Sequence, residues 1–464
     1  MKVSLTMTEA QRRALAAHLF PTDGCEAVAF AICGRASSPQ RHRLLVRRIE
    51  PVAYDTCSVR THDRVTWPTS VLVPWIEEAA KFGGALIKVH GHRGYRQFSS
   101  IDDQSDSTLF PSLYNWTQSV APLASAIMMD DGEVFGRVVN EAGAFAPLDS
   151  VNVIGDDLSF YPSRTPGESV PEFGRRIAQM FGKGTFDQLR HLRIAVIGAS
   201  GTGSVVIEQL ARNAVGSLVL VDPDHVEEKN LNRIVNATMD DAMTCRPKVD
   251  VAARSIKAMA LGTNVELYAK SLFDPEVVRA VASCDIVFGC MDTIDGRYLL
   301  NKLATFYLIP YFDLGVKIEA DGVGGVQQVV GSVHYLKPDG ASLISRNVIT
   351  MEQVRSAGLK RTDATRYRKE IEEGYIRGVP EDRPAVIQLN SLIASLAINE
   401  LLARLHPYRL DPNATFSVTR VSLSHGIWDA EEEGAPCRIL ARHAGRGDVN
   451  PLLDMAELSV RPLS

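Results

Sequence analysis

The chain of 464 residues has no apolar run approaching the roughly 18 residues that a membrane-spanning helix needs. Its first residues, Met1-Lys2-Val3-Ser4-Leu5-Thr6, hold no apolar stretch of signal-peptide length. It has seven cysteines, at positions 25, 33, 57, 245, 284, 290 and 437, and no two form a CxxC pair. Neither a structural zinc ribbon nor a disulfide framework is therefore expected. There is no long basic block, and the formal net charge is -5, which argues against a dedicated nucleic-acid binder. Internal repeats and low-complexity tracts are also missing. These absences predict a cytoplasmic protein with neither membrane nor nucleic acid as partner. What is present is ordinary: 45% hydrophobic and 23% charged residues fit a globular protein, and the length suggests two to four domains.

The chain reads as two halves of an α/β protein. A turn-rich stretch, Gly155-Asp156-Asp157 through Pro162-Ser163-Arg164-Thr165-Pro166-Gly167, suggests a linker over 156–172. The expected domains are then 1–155 and 173–464, with a nucleotide-binding core at 190–335. In the first, a helix around Pro74–Ala80 leads into a buried strand within Gly83–His92. In the second, apolar strands at Arg193–Gly198, Ser217–Asp222, Val265–Tyr268 and Cys284–Gly289 alternate with helical stretches. That alternation predicts a mostly parallel sheet.

His90-Gly91-His92 is followed by Ser100-Ile101-Asp102-Asp103, and Glu26 lies far upstream. Histidines at i and i+2 of a strand share one face, so one ion can bind both imidazoles. Asp103 can supply the third, hard ligand; Asp102 beside it is the less favoured choice by spacing. Three protein ligands and an open position describe a catalytic zinc site, with a bound water acidified to a pKa of about 7. Glu26 is the candidate general acid/base, and Ser100 the donor to the developing oxyanion. A lone HxH is common on surface strands, but the spacing His-x-His-x7-Ser-x-x-Asp with a distant Glu resembles the JAMM (MPN-type) zinc isopeptidases. The resemblance implies that His90, His92 and Asp103 ligate zinc, that Ser100 shapes the oxyanion site, and that Glu26 is the acid/base. Arg93 stands where that family usually has proline. The implied substrates are isopeptide or peptide bonds at the C-terminus of ubiquitin-like proteins, or small-molecule conjugates.

In the second half, Ile194–Ile197 runs into Gly198-Ala199-Ser200-Gly201-Thr202-Gly203. Glycines let the backbone approach a phosphate, and the following helix offers its N-terminal N–H groups. Asp222 ends the next strand, where a Rossmann fold places the carboxylate that holds a ribose. NAD would be the default ligand, but Ser200 replaces the second glycine of the dinucleotide fingerprint. Downstream lie Asn230, Arg233, Lys248 and Asp292, each near an element end: cations for a triphosphate and a carboxylate for Mg²⁺. This stretch resembles the ThiF/HesA-type adenylyltransferases, the family of ubiquitin-activating enzymes and of activators of sulfur-carrier proteins. The resemblance covers about 170–335. It implies that Gly198, Gly201 and Gly203 line the nucleotide, Asp222 holds the ribose, Asn230, Arg233 and Lys248 contact the phosphates, and Asp292 binds Mg²⁺. By the same resemblance Arg175 reaches the γ-phosphate from a partner subunit, which implies a homodimer. The apolar helix beginning at Ala385 resembles the family's later core helix.

Many relatives carry a catalytic cysteine in the crossover loop, but Lys337–Ser345 and the charged segment 346–384 contain none. Cys437 is either a thioester or persulfide acceptor or a buried thiol, and Cys245 is expected to be structural. The whole chain thus resembles a JAMM-type metalloprotease fused to a ThiF-type adenylating enzyme. The expected activity is adenylation of the C-terminal glycine of a small β-grasp protein with Mg·ATP, coupled to zinc-dependent processing or deconjugation of that protein. A conjugating enzyme or a sulfurtransferase would complete the system. The alternatives are a nucleotide-binding scaffold without transfer chemistry, adenylation of a peptide or small-molecule carboxylate, and, most remotely, an NAD-dependent oxidoreductase.

Overall fold

The computed structural model describes residues 1–39, 41–163, 169–321, 323, 325–373 and 386–459. Parts of three sequence expectations lie outside these residues: 164–168 of the linker, 374–384 of the charged segment, and Ala385 at the start of the late helix. The chain forms two compact units. The first comprises Met1–Gly167, Phe306–Leu308 and His443–Asp454, and the second comprises the remainder. No helix among the described residues is long and apolar enough to cross a membrane.

The first unit contains strands β1 (Lys2–Thr8), β2 (Val28–Ser37), β3 (Arg41–Pro51), β4 (Val59–Arg60), β5 (Val65–Thr66), β6 (Ala85–His92), β7 (Leu123–Met129), β8 (Val134–Val139), β9 (Phe145–Pro147), β10 (Ser150–Ile154) and β11 (Leu158–Pro162). Nine of them form one sheet in the order β11-β10-β1-β3-β2-β6-β7-β8-β9, and β4 pairs with β5. Helices α1 (Glu9–Leu19), α2 (Val73–Lys81) and α3 (Ser100–Thr117) complete the unit. Leu15, Leu19, Ile76, Ala79, Phe110 and Leu113 on these helices join Leu5, Met7, Phe30 and Val89 from the sheet in one apolar core. Every residue of β6 is buried, its polar Lys88, His90 and His92 included, so these side chains need partners within the protein.

The linker expectation over 156–172 needs correcting at its start. Gly155-Asp156-Asp157 makes a hairpin turn, and Ile154 pairs with Leu158 across it. Leu158 and Phe160 then turn inward and are buried, so the turn formers close an edge hairpin instead of opening a tether. The segment His443–Asp454 also returns to the first unit. A side chain at Gly34 of β2 would collide with the carbonyl oxygens of Gly445 and Arg446. Asp448 accepts from the Ser37 amide at 2.9 Å, and its own amide donates to the Arg35 carbonyl at 2.6 Å.

The second unit contains β12 (Arg193–Ile197), β13 (Ser217–Val221), β14 (Asn264–Tyr268), β15 (Ile286–Gly289), β16 (Tyr311–Ala320), β17 (Val326–Leu336), β18 (Val418–Ser422) and β19 (Ile427–Glu431). They form one sheet in the order β14-β13-β12-β15-β16-β17-β18-β19. Pairing is parallel from β14 through β16 and antiparallel beyond it. Its helices are α4 (Arg175–His191), α5 (Gly201–Arg212), α6 (Met239–Met243), α7 (Lys248–Met259), α8 (Pro275–Ala282), α9 (Ile294–Phe306), α10 (Met351–Thr362), α11 (Ala364–Glu372) and α12 (Ile387–Leu405). The α/β expectation is borne out. The chain runs outward from β12 to β13 and β14, then restarts on the other side at β15. Such a reversal of strand order opens a crevice at the C-terminal ends of β12 and β15, the general ligand position of open α/β sheets.

Two buried histidines make the folded protein sensitive to acid. His42 lies between the Ser37 hydroxyl at 3.0 Å and the Arg35 guanidinium at 3.1 Å, and burial and that cation push it down to about 4. Burial likewise pushes His334 down to about 4, against the opposing pull of Asp313. The unfolded chain binds protons that these native rings refuse, so stability falls as pH drops from about 6.5 towards 4. Each ring contributes at most about 1.4 kcal/mol per pH unit. Urea denaturation at pH 6.5 and pH 5 should show that loss, and His42→Gln should remove its share of it.

Candidate functional site

Each unit gathers one cluster of polar side chains. In the first, β6 places His90 and His92 on one face, with their Nε2 atoms 3.1 Å apart. Asp102 on the first turn of α3 brings Oδ1 to 2.9 Å from His90 Nε2 and Oδ2 to 3.6 Å from His92 Nε2. The potential ligand atoms of this trio lie within 4.8 Å of one another. A tetrahedral ion with bonds of about 2.0–2.1 Å separates its ligands by about 3.3 Å, so the donor set and its spacing fit one zinc-like ion. His92 Nδ1 lies 3.0 Å from the Tyr95 carbonyl, the kind of outer contact that fixes a ligating imidazole's tautomer. Burial lowers the His90 pKa against the opposing Asp102 bond, which favours the neutral form that binds metal. Burial opposes ionisation of Asp102, but hydrogen bonds from His90 and Ser99 prevail and hold its carboxyl well below the usual range.

The structure replaces Asp103 with Asp102 in this cluster. Ser99 is the N-cap of α3, with Asp102 at the third helical position in a reciprocal capping box. Both the Ser99 amide and the Ser99 hydroxyl reach Asp102 Oδ2 at 2.7 Å. Asp103 is rotated onward by one helical residue, half-exposed, and ion-paired with Arg137. Ser100 is likewise displaced: it is exposed on the first turn, and Ser99 is the serine beside the cluster. Ser-x-x-Asp fits the sequence in either register, and the cap selects the earlier one.

Glu26 precedes the first residue of β2 by two, and β2 pairs Val28 with His90. Its amide donates to the Thr61 carbonyl at 2.7 Å. Burial, then the negative charges of Asp102 and Asp63, push its carboxyl up to about 7, where a proton-transfer group is useful. Arg93 is exposed, with its guanidinium 5.3 Å from the Phe20 ring centre. Sequence reasoning missed Asp106 and Arg137. Asp106, fully buried one turn after Asp102, takes Lys88 Nζ at 2.5 Å and Arg137 Nη2 at 2.7 Å. Lys88 precedes His90 by two residues on β6, so this pair of ion bridges fastens α3 to the strand that carries the histidines. The i, i+4 spacing of Asp102 and Asp106 was the available signal.

In the second unit, β12 is followed directly by Gly198, whose φ is +94°. A Cβ at Gly203 would lie 1.8 Å from the Gly198 carbonyl oxygen, and one at Gly201 2.2 Å from Asn390 Nδ2. Asp222, at the end of β13, closes the loop: Oδ2 accepts the Ala199 amide at 2.7 Å and Oδ1 the Asp224 amide at 2.9 Å. Burial raises its pKa against the nearby Lys248 charge. Lys248 begins α7, is itself buried, and reaches Asp224 Oδ2 at 2.8 Å. Arg233 holds the Lys229 carbonyl at 2.9 Å while its Cδ abuts the space beside Gly201. These residues therefore surround one loop at the C-terminal end of the parallel strands.

Other residues are placed differently. The buried Asn230 side chain accepts the Glu227 amide at 3.1 Å. Asp292 is exposed between β15 and α9, after Met291, whose amide nitrogen approaches the space beside Gly198. Arg297, five residues on, is bound to the fully buried Asp313, which anchors α9 behind that segment. Arg175 is exposed at the start of α4 and pairs with Glu172 at 3.0 Å. Cys437 is buried, with its Sγ accepting the Leu440 amide, and Cys245 is exposed.

The two aspartates separate the two registers experimentally. In protein refolded with zinc, Asp102→Ala should lose the bound metal, measured by atomic emission, whereas Asp103→Ala should keep about one equivalent. The reverse result would restore Asp103 as ligand.

Residues 173–429, more than half of the chain, match the ThiF family. The SAMP-activating enzyme E1 of Haloferax volcanii is 34% identical over 148 residues, covering 32% of this chain and 50% of that protein. The adenylyltransferase and sulfurtransferase UBA4 of Meyerozyma guilliermondii is 30% identical over 156 residues, covering 33% and 34%. The chain thus spans half or less of the length of these two relatives. Among solved structures, E. coli MccB with ATP aligns with a TM-score of 0.44 at 18% identity, covering 60% of this chain and 75% of that one.

Proposed function

Because the chain belongs to the ThiF family, we propose that its second unit uses Mg·ATP to adenylate the C-terminal glycine of a small ubiquitin-like or sulfur-carrier protein. What supports this is the arrangement at the end of β12: a glycine loop closed on the carboxylate of Asp222, with Lys248 and Arg233 beside it. Asp222 holds the ribose. Arg233, Lys248 and Asn230 bind the phosphates. A carrier carboxylate oxygen attacks the α-phosphorus, the bond to the β-phosphate bridging oxygen breaks, and pyrophosphate leaves with that oxygen. The cations hold the charge that develops as it departs. Mg²⁺ held at Asp292 would supply further neutralisation there. With Cys437 buried, the acyl-adenylate passes directly to an external thiol, amine or sulfur donor, in a sulfurtransferase or a conjugating enzyme. A scaffold that binds ATP and releases no pyrophosphate is the opposing outcome.

The first unit, in this reading, is a JAMM-type hydrolase that trims the carrier precursor or removes its conjugates. His90, His92 and Asp102 would hold zinc, whose chemistry is to acidify a bound water and polarise the scissile carbonyl. Glu26 takes the water's proton and delivers it to the leaving amine nitrogen. Ser99 keeps Asp102 oriented, and Lys88 and Arg137 hold α3 through Asp106.

Glu26→Gln should keep zinc yet lower cleavage of a carrier precursor by about 10²–10⁴-fold; retained cleavage would remove Glu26 from its role. Asp292→Ala should abolish pyrophosphate release while leaving the melting temperature unchanged, and undiminished release would remove its Mg²⁺ role. A homodimer in which Arg175 completes the partner's site predicts complementation. Arg175→Ala and Asp292→Ala proteins, each inactive alone, should regain up to about a quarter of wild-type turnover when their subunits are mixed. No recovery in demonstrably mixed dimers would place Arg175 elsewhere.

A further inference from the structure

Helix α5 begins at Gly201 with no side-chain cap on its first turn. The amide of Ser204 makes the first helical bond, to the Ser200 carbonyl at 2.8 Å. The N–H groups of Gly201, Thr202 and Gly203 therefore have no carbonyl a turn ahead of them within the helix, and the helix dipole adds partial positive charge at that point. By itself this describes the start of many helices.

A second side chain marks this one as built for a ligand. Asn390 lies on the first turn of α12 and is only 3% exposed. Its Oδ1 accepts the Thr202 hydroxyl at 3.1 Å, which fixes the face of the amide. Its Nδ2 then points at Gly201, 2.2 Å from where a Cβ would stand. That nitrogen is buried and has no hydrogen-bond partner. An orphaned buried donor destabilises the fold that holds it, so an apolar residue would pack here more favourably. The aliphatic part of Arg233 borders the same space.

We infer that Asn390 is a phosphate-binding residue, donating from Nδ2 to an oxygen of the nucleotide phosphate chain held at the start of α5. Thr202 orients it, and Gly201 keeps the approach open. This rests on the adenylating reading and deepens it, because it adds a donor from α12, outside the stretch 190–335 in which the nucleotide core was expected. It also explains why position 201 takes glycine: any side chain there would displace the amide.

The test compares the full-length wild type with Asn390→Leu, which keeps the bulk and removes the donor. Binding of Mg·ATP is measured by calorimetry, and the melting temperature is measured without nucleotide. A hydrogen bond to a charged oxygen predicts a rise in the ATP dissociation constant of roughly ten- to a hundredfold. Because the lost donor has no partner in the free protein, the nucleotide-free melting temperature of Asn390→Ser, which keeps an acceptor for Thr202, should stay level or rise. If Asn390→Leu does not fold, Asn390→Ser, without the amide, should give the same rise in the dissociation constant. Unchanged ATP affinity in a folded variant overturns the inference and leaves the adenylating reading intact. A fall in melting temperature in both variants, matching the loss of affinity, overturns it in favour of packing. Wild-type protein that binds no Mg·ATP overturns both.

Discussion

The second unit is organised around a place where no side chain fits. Gly203 Cα sits so close to the Gly198 carbonyl that a Cβ would lie 1.8 Å from its oxygen. This contact brings the first turn of α5 down onto the end of β12. Asp222 reaches across from β13 to the Ala199 amide, and the segment after β15 runs against Gly198. The loop is thus held from two neighbouring strands, and its shape is set before any ligand arrives. Pre-positioned dipoles need little reorganisation when charge develops. That is the physical advantage of building a phosphate site from backbone instead of long, mobile side chains.

The first unit solves a related problem with charge. Three groups that converge within a few ångströms, two imidazoles and one carboxylate, need a support that keeps them from swinging apart. The capping box of α3 supplies part of it, because the carboxylate of Asp102 that faces the histidines also closes the helix end. The buried Lys88–Asp106–Arg137 cluster supplies the rest, one turn further along. Breaking such a buried pair by removing one partner typically costs about 3–5 kcal/mol. The geometry of this cluster and the stability of its unit are therefore coupled.

The sequence showed the strands through the alternation of apolar runs with helical stretches: β12, β13, β14 and β15 lie within a residue or two of where that pattern placed them. The glycine loop and the histidine pair were readable because their chemistry is compressed into a few neighbouring residues. The choice between Asp102 and Asp103 was not: serine and aspartate are each doubled there, Ser-x-x-Asp fits in both registers, and the seven-residue gap after His92 pointed to Asp103. Only the cap hydrogen bonds decide between them. Asn390 escaped for a different reason: nearly 190 residues separate it from Thr202 in sequence, and no local pattern marks a side chain left without a partner. Strand β11 was hidden by its own turn formers, which read equally well as a tether.

The return of His443–Asp454 to β2 joins the last part of the chain to the first sheet. Gly34 lies beneath the backbone at 445–446, and Asp448 bridges to Ser37 and to Tyr307. A nascent polypeptide emerges from the ribosome N-terminus first, yet the backbone of β2 at Gly34 and Ser37 gains these neighbours only once residues 445–448 have been made. All nine strands of the sheet that carries His90 and His92 lie within residues 2–162, so only this cover on β2 waits until the ThiF-matching residues 173–429 have been translated. At this one contact the order of translation and the order of assembly part.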